Sequence, residues 1–152
     1  MAQRIGFLVN PIAGIGGRVG LKGSDGVVEL AIERGAEPSA EHRAGVMLGL
    51  LGSRLDKHPE PLDITWITCA GVMGEDALLD AGFDEIEVVY RPGASSGPAD
   101  TRRAVRAFIE AGVSLVVFCG GDGTARDVCA ETGRTTPILG VPAGVKMHSA
   151  VF

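Results

Sequence analysis

A short apolar run that ends in a cluster of glycines limits most strongly what this chain can form. The run covers residues 113–118, and after Cys119 the chain continues as Gly120-Gly121-Asp122-Gly123-Thr124. Such a run predicts a buried strand, and the residues after Thr124 suit a helix. Glycine can adopt positive φ angles and bring backbone N–H groups against an anion, and a helix start presents further free N–H groups. The sequence therefore predicts a strand, a phosphate-binding turn and a helix that meet at one point.

Asp122 is the unexpected residue in this turn, because a carboxylate next to phosphates repels them unless it has another task. It could hold Mg²⁺ or accept a proton from an attacking hydroxyl. In the alternative interpretation the segment is only a tight strand-to-helix turn, with Asp122 bonded to its own backbone and Thr124 capping the helix. Three glycines and a threonine at one junction exceed what a turn requires, so the pattern favours a phosphate site.

The chain as a whole alternates between strand and helix patterns. Apolar and β-branched runs predict strands over residues 5–9, 64–69, 85–89, 113–118 and 137–141. Helices are predicted over residues 26–34, 41–57, 74–81 and 98–111, and from the glycine turn to residue 131. This alternation implies right-handed crossovers and a three-layer α/β fold, with a mainly parallel sheet and helices on both faces. Open sheets of this kind bind ligands at the C-terminal ends of their strands.

Composition limits which binding partners and which cellular compartment are expected for this protein. A net charge of −5 leaves no broad basic field, so neither nucleic acid nor an anionic membrane surface is an expected partner. The three cysteines have no C-x-x-C spacing, which favours a reducing compartment over a disulfide framework. The apolar run at residues 5–9 is too short for a signal peptide core or a membrane span. We therefore expect a cytoplasmic protein.

Three ordered segments resemble motifs of one kinase superfamily. Residues 120–124 resemble the GGDGT signature of NAD kinases, diacylglycerol-type lipid kinases and 6-phosphofructokinase-like proteins. Residues 9–17 are similar to the Asn-Pro loop after the first strand of these kinases, and residues 138–146 resemble the strand and loop that follow the GGDGT helix. With residues 21–26, the pattern is most similar to the ATP-NAD kinase-like group that includes the acetoin-catabolism protein X relatives.

The resemblance implies the fold of the N-terminal domain of the NAD kinase and phosphofructokinase-like proteins. It also implies an enzyme that transfers the γ-phosphoryl group of ATP, with Mg²⁺, to a hydroxyl acceptor, first of all the 2′-hydroxyl of NAD to give NADP. Asp122 would be the catalytic residue, as general base or by orienting the hydroxyl. The residues implied to contact the nucleotide and its phosphates are Asn10, Gly120, Gly121, Gly123, Thr124, Lys22 and Lys146. Asn10 could instead start a turn, both lysines could be solvated surface residues, and no metal ligand is identified.

Two departures from the family pattern keep other functions open. The residues after the GGDGT segment, Ala125-Arg126-Asp127, are closer to the lipid kinases, so another small alcohol or a lipid headgroup is an alternative acceptor. The C-terminal β-rich domain that completes the acceptor site in the family has no counterpart in residues 1–152, so we expect a single nucleotide-binding kinase domain. A noncatalytic nucleotide-binding module or an inactive fragment is the further alternative. A surface left uncovered by that domain would favour a homo-oligomer.

The sequence gives weaker indications of a ligand-binding role for a few other polar side chains. Arg102 and Arg103 lie early in a predicted helix, where cations oppose the helix dipole and so hint at an anion nearby. Arg126 and Asp127 could contact the acceptor or a metal. No triad or zinc spacing connects the histidines, and no role is predicted for His42, His58 and His148.

Overall fold

The protein is described from a computed structural model, which covers residues 2–15, 35, 39–93, 96–144 and 147–152. Five strands form one sheet: β1 (Gln3–Val9), β2 (Ile64–Cys69), β3 (Ile86–Tyr90), β4 (Leu115–Gly120) and β5 (Ile138–Pro142). Their order across the sheet is β3-β2-β1-β4-β5, and every neighbouring pair is parallel. The first strand therefore lies in the middle of the sheet, and the predicted α/β class with a parallel sheet is confirmed.

Helices cover both faces of this sheet. The described residues include α1 (Ala40–Leu55), α2 (Glu75–Asp80), α3 (Pro98–Glu110) and α4 (Asp122–Thr132), and a short 3₁₀ turn at Gly71–Met73 precedes α2. Buried residues of α1 and α2 pack in one layer, and those of α3 and α4 pack in the other. The three-layer arrangement follows from strands that are apolar on both faces, since each face must be covered to remove it from water.

The central strands show how the sequence produces this arrangement. In β1, Phe7 and Val9 point into the layer with α1 and α2, whereas Leu8 points into the layer with α3 and α4. In β4, Val117 and Phe118 divide between the two layers in the same way. Phe7, Leu8 and Phe118 have no exposed surface, and burying each such side chain contributes about 1.5–3 kcal/mol. The continuous apolar runs are therefore the main reason why β1 and β4 occupy the centre of the sheet.

The predicted boundaries agree closely with the observed ones, and β2 agrees residue for residue. The largest strand difference is at β4, which is predicted over residues 113–118 but spans Leu115–Gly120; its end lies later because Gly120 still pairs with Pro142 of β5. The predicted helix over residues 26–34 lies outside the described residues. In the part of the chain that the structure describes, no helix is both long and apolar enough to cross a membrane.

Candidate functional site

The candidate site lies where the C-terminal ends of β1 and β4 meet. The chain runs from β1 to β2 and β3 on one side of the sheet, and later to β4 and β5 on the other side. The change of direction falls between β1 and β4, and open α/β sheets bind ligands in the crevice at such a point. The segments that leave these two strands are residues 10–15 and residues 121–124, which are the two segments in which the sequence predicted site residues.

Asn10 connects these two segments. Its side-chain amide nitrogen donates a hydrogen bond to Thr124 Oγ1 at 2.9 Å, and its backbone N–H donates to the carbonyl of Cys119 at 2.9 Å. Its side-chain oxygen accepts a hydrogen bond from the N–H of Ile12 at 3.3 Å. Asn10 therefore starts the turn after β1, as its alternative interpretation predicted, and also fixes that turn to the first turn of α4, while its contact with a nucleotide stays a prediction.

The glycine segment differs from the predicted loop. Gly120 is the last residue of β4, Gly121 is the N-cap of α4 with a φ of −107°, and the helix begins at Asp122. None of Gly120, Gly121 and Gly123 has a positive φ, so the prediction that they serve left-handed backbone conformations is wrong. The segment is a strand that passes almost directly into a helix, and the glycines must be explained by the space around them.

The space around each glycine differs. A Cβ added at Gly120 would lie 2.5 Å from Thr124 Oγ1, so Gly120 allows the Thr124 side chain to pack over the end of β4. A Cβ at Gly121 would lie in ordinary contact, 3.6 Å from Gly144 Cα. Among the described residues, a Cβ at Gly123 would have no neighbour within 4 Å. The space beside Gly123 is therefore compatible with the close approach of a ligand.

Thr124 is buried at the start of α4 and does not have the capping role that the alternative interpretation gave it. Its side chain is 4% exposed, and its hydroxyl oxygen is the acceptor of the Asn10 amide. It is the third residue of α4 and does not cap the helix, because the N-cap is Gly121 and no side chain caps this end. Its hydroxyl therefore contributes by holding Asn10, whereas the backbone N–H groups at this helix start have no acceptor within the helix and remain suited to an anion.

The third predicted segment joins the same place. The N–H of Ala143 donates to the carbonyl of Gly120 at 2.9 Å, and the hydroxyl of Ser39 donates to the carbonyl of Ala143 at 3.1 Å. Gly14 has a φ of +80°, and a Cβ there would collide with the carbonyl of Ala143. The turn after β1, the start of α4 and the turn after β5 are thus in direct contact around one end of the sheet.

Asp122 is the first residue of α4, and both of its carboxylate oxygens accept hydrogen bonds from the backbone. Oδ2 accepts from the N–H of His148 at 2.9 Å, and Oδ1 accepts from the N–H of Ser149 at 3.0 Å. The pKa of Asp122 is lowered, first by the hydrogen bond from the His148 N–H, which burial partly opposes, and further by the hydrogen bond from Ser149 and by the charges of His148 and Arg126. Asp122 is therefore ionised at neutral pH, and it does not bond to its own backbone as the alternative interpretation supposed.

The contacts from His148 and Ser149 were missed by sequence reasoning. They come from backbone N–H groups, which every residue except proline possesses, so the side-chain types at these positions carry no signal for them. His148 was given no role because its imidazole matches no triad or metal pattern. Its backbone is nevertheless part of the site.

Several other polar residues have partners away from the site. Arg102 Nε donates to Asp127 Oδ1 at 2.8 Å and so connects α3 with α4. Asp127 is thereby engaged in an ion pair between helices, which gives both residues a structural role away from the start of α4. Arg106 and Glu131 form a second pair between the same helices at 2.7 Å.

The residues at this junction fit a magnesium nucleotide. The open space at Gly123 and the free N–H groups at the start of α4 suit a phosphate, and Asp122 supplies an ionised carboxylate whose oxygens each keep lone pairs. Magnesium usually binds one or two protein carboxylates together with substrate phosphates, so a single aspartate suffices. Within the described residues no group of three or more His, Cys, Asp or Glu side chains forms a metal site. Lys22 and Lys146 lie outside the described residues.

Comparison with known proteins is consistent with this geometry. The family model of the ATP-NAD kinase N-terminal domain matches residues 5–152. The chain is similar to the acetoin catabolism protein X of Cupriavidus necator, with 37% identity over 65 residues, which are 43% of this chain and 18% of that protein. The match thus spans less than a fifth of the length of that relative. No solved structure matches the chain.

Proposed function

Because the chain belongs to the ATP-NAD kinase N-terminal domain family, we propose that it binds ATP at the ends of β1 and β4 and takes part in phosphoryl transfer to a hydroxyl. The observation that carries the proposal is the junction of three turns around the start of α4, where no described residue fills the space beside Gly123. The first acceptor that we propose is the 2′-hydroxyl of NAD, which would give NADP.

Phosphoryl transfer depends mainly on positioning and on neutralising charge, and the residues of the junction supply both. The free N–H groups and the positive dipole end of α4 would bind a phosphate at Gly123. Asn10 and Thr124 hold the turn after β1 against this helix start. Lys22 and Lys146 are proposed as additional phosphate contacts. Mg²⁺, bound through Asp122 and the phosphates, would offset the negative charge of the triphosphate.

The environment of Asp122 favours one of its two proposed catalytic roles. A carboxylate with a lowered pKa is a weak proton acceptor, so Asp122 is poorly suited to general base catalysis. As an ionised hydrogen-bond acceptor it can still orient the acceptor hydroxyl for in-line attack on the γ-phosphorus. We therefore propose that Asp122 orients the hydroxyl.

A second candidate acceptor is a small hydroxyl compound other than NAD. The relative from Cupriavidus necator is named for acetoin catabolism, and acetoin carries a hydroxyl group. The proposed test is a panel of NAD, acetoin, glycerol and a diacylglycerol with γ-labelled ATP and Mg²⁺. Label in NADP supports the first acceptor, whereas label in acetoin or glycerol supports the second, and label in the diacylglycerol supports a lipid kinase.

The further alternative is a module that binds nucleotide without catalysis. Titration of the chain with MgATP distinguishes it, because binding without labelled product from any member of the panel would favour the module. Binding that Gly123→Val abolishes would support the proposed phosphate position, since the added side chain would occupy the open space at that residue.

The expected partners follow from the same proposal. We propose nucleotides and a small-molecule acceptor as ligands, and neither nucleic acid nor membrane as a partner. Two large apolar side chains on α1 are exposed, Val46 at 50% and Leu50 at 65%, which is compatible with the proposed homo-oligomer. Light scattering at several concentrations tests the oligomer, and a monomer at all of them would contradict it.

A further inference from the structure

Residues 147–152, which we call the strap, pack against the sheet and against α4. The N–H of Gly140 in β5 donates to the carbonyl of Val151 at 2.9 Å. The ring of Phe152 meets that of Phe118 edge to face, with ring centroids 5.7 Å apart. A Cβ at Gly140 would lie 2.6 Å from the Phe152 ring, so glycine in β5 makes room for this contact. The far end of the strap is therefore fixed to β5 and to the buried core beneath α4.

The near end of the strap is fixed at the candidate site. Both carboxylate oxygens of Asp122 accept its backbone N–H groups, at 2.9 and 3.0 Å. A Cβ at Gly144 would lie 2.5 Å from Met147 Sδ and 3.1 Å from Gly121 Cα, so a second glycine allows a close approach here. The strap thus contacts Asp122 directly and packs through Met147 against Gly144, which in turn lies beside Gly121, while no described atom fills the space at Gly123.

This arrangement resolves the difficulty that a carboxylate creates in an anion site. Asp122 competes with a phosphate for the positive end of α4, and its charge repels the phosphate. Two N–H groups of the strap bond to its oxygens, so part of that charge is satisfied away from the open space at Gly123. A carboxylate bonded in this way can remain next to a phosphate at a smaller electrostatic cost.

We propose that Asp122 has a second role as a positioning residue, in which it holds the strap against the start of α4 so that the strap forms one wall of the phosphate site. This inference rests on the proposed function, because it assigns the wall to the nucleotide site. It does not require that Asp122 touch the nucleotide, since the effect passes through the backbone of residues 148 and 149.

The test weakens the contact of the strap at Phe152 and measures amide exchange and nucleotide affinity at the other end of the strap, next to Asp122. In Phe152→Ala, amide hydrogen exchange of His148 and Ser149 is expected to accelerate by about tenfold, the factor that corresponds to loss of one good aromatic contact. Affinity for MgADP is expected to fall in the same variant, although Phe152 lies away from the helix start. Phe152→Leu, which keeps an apolar side chain in the same place, should restore most of both properties.

Matched control variants distinguish release of the strap from a general loss of stability. Phe83→Ala also removes an edge-to-face contact, with Trp66 at 5.3 Å, but in the layer on the other side of the sheet. It should leave the exchange of His148 and Ser149 unchanged. Asp122→Ala should accelerate exchange at the same two amides as Phe152→Ala, because it releases the near end.

The outcomes test separately whether the strap forms a wall of the phosphate site and whether Asp122 holds the strap. Faster exchange in Phe152→Ala with unchanged MgADP affinity would overturn the wall, and unchanged exchange in both Phe152→Ala and Asp122→Ala would overturn the hold on the strap. If the unaltered chain binds no MgADP, the proposed function is contradicted and the wall with it. The exchange comparison alone would then still decide whether Asp122 holds the strap.

Discussion

The side-chain amide of Asn10 donates a hydrogen bond to Thr124 Oγ1 across 2.9 Å, and so joins the end of β1 to the first turn of α4. These two residues are 114 positions apart in the chain. They belong to two of the three segments that resemble kinase motifs, and their contact lies where the chain changes direction across the sheet. The bond therefore fixes the relative position of the two turns that form the proposed nucleotide site.

This bond predicts an energetic coupling between the two residues. In a double-mutant cycle, Asn10→Ala and Thr124→Val should show a coupling of about 0.5–1.5 kcal/mol in the free energy of unfolding, measured by urea denaturation. Thr132→Val is the control, because that hydroxyl is also buried in α4 but bonds to the carbonyl of Val128. Asn10→Ala and Thr132→Val should be additive, and additivity in both cycles would contradict the importance of the contact.

Substitution by alanine is predicted to affect the free energy of unfolding differently at Gly120 and at Gly123. Gly120→Ala places a Cβ 2.5 Å from Thr124 Oγ1, and should lower the free energy of unfolding by about 1–3 kcal/mol. Gly123→Ala meets open space at a φ that alanine can adopt, and should leave stability unchanged or raise it by up to about 1 kcal/mol. Urea denaturation of both variants checks the difference. Equal losses of stability would show that the spaces around the two glycines are not as described.

The three cysteines are predicted to differ in reactivity. Burial raises the pKa of Cys69 to about 12 and that of Cys119 to about 12, and both side chains are inaccessible, whereas Cys129 is exposed. Iodoacetamide at neutral pH should therefore alkylate Cys129 alone in the folded chain, because the thiolate is the reacting form. All three should react in urea. Mass spectrometry of peptides reads the result, and rapid labelling of Cys119 without denaturant would contradict the packing of β4.

The contacts of Asp122 predict a dependence on pH. Its pKa is lower in the folded chain than the ordinary value of 3.8, so the stability that it contributes is present above that value and is lost as the pH falls through the lowered pKa. Among the described residues, the imidazole of His148 and the guanidinium of Arg126 are the charged groups that lower this pKa through their charge. The amide proton shifts of His148 and Ser149 should move together below pH 3.8 in NMR spectra. Shifts that follow the titration of a histidine near neutral pH would contradict this assignment.

Sequence patterns predicted most of the fold because they report burial on both faces of a strand. β2 was predicted residue for residue, and the other strands to within about two residues, since apolar runs and glycines mark their ends. The end of β4 was misplaced because Gly120 suggested a loop. Its pairing with Pro142 depends on β5, which a local pattern cannot show.

The site was predicted less completely, and the reason is again physical. Asn10, Asp122 and the glycines were predicted as site residues because their types suit phosphate chemistry at strand ends, and the structure brings them together at one junction. The burial of Thr124 and the contacts of His148 and Ser149 depend on tertiary packing and on backbone groups, which have no signature in residue type.

The most direct test of the central claim is transfer of label from γ-labelled ATP to NAD in the presence of Mg²⁺. Asp122→Asn is compared with Asp127→Asn, which makes the same chemical change in the same helix at a carboxylate that pairs with Arg102. The account predicts labelled NADP from the unaltered chain and from Asp127→Asn, and a loss of most of it in Asp122→Asn, with all three folded by circular dichroism. Equal labelling in both variants would contradict the role of Asp122, and no labelled NADP from the unaltered chain would contradict NAD as its acceptor.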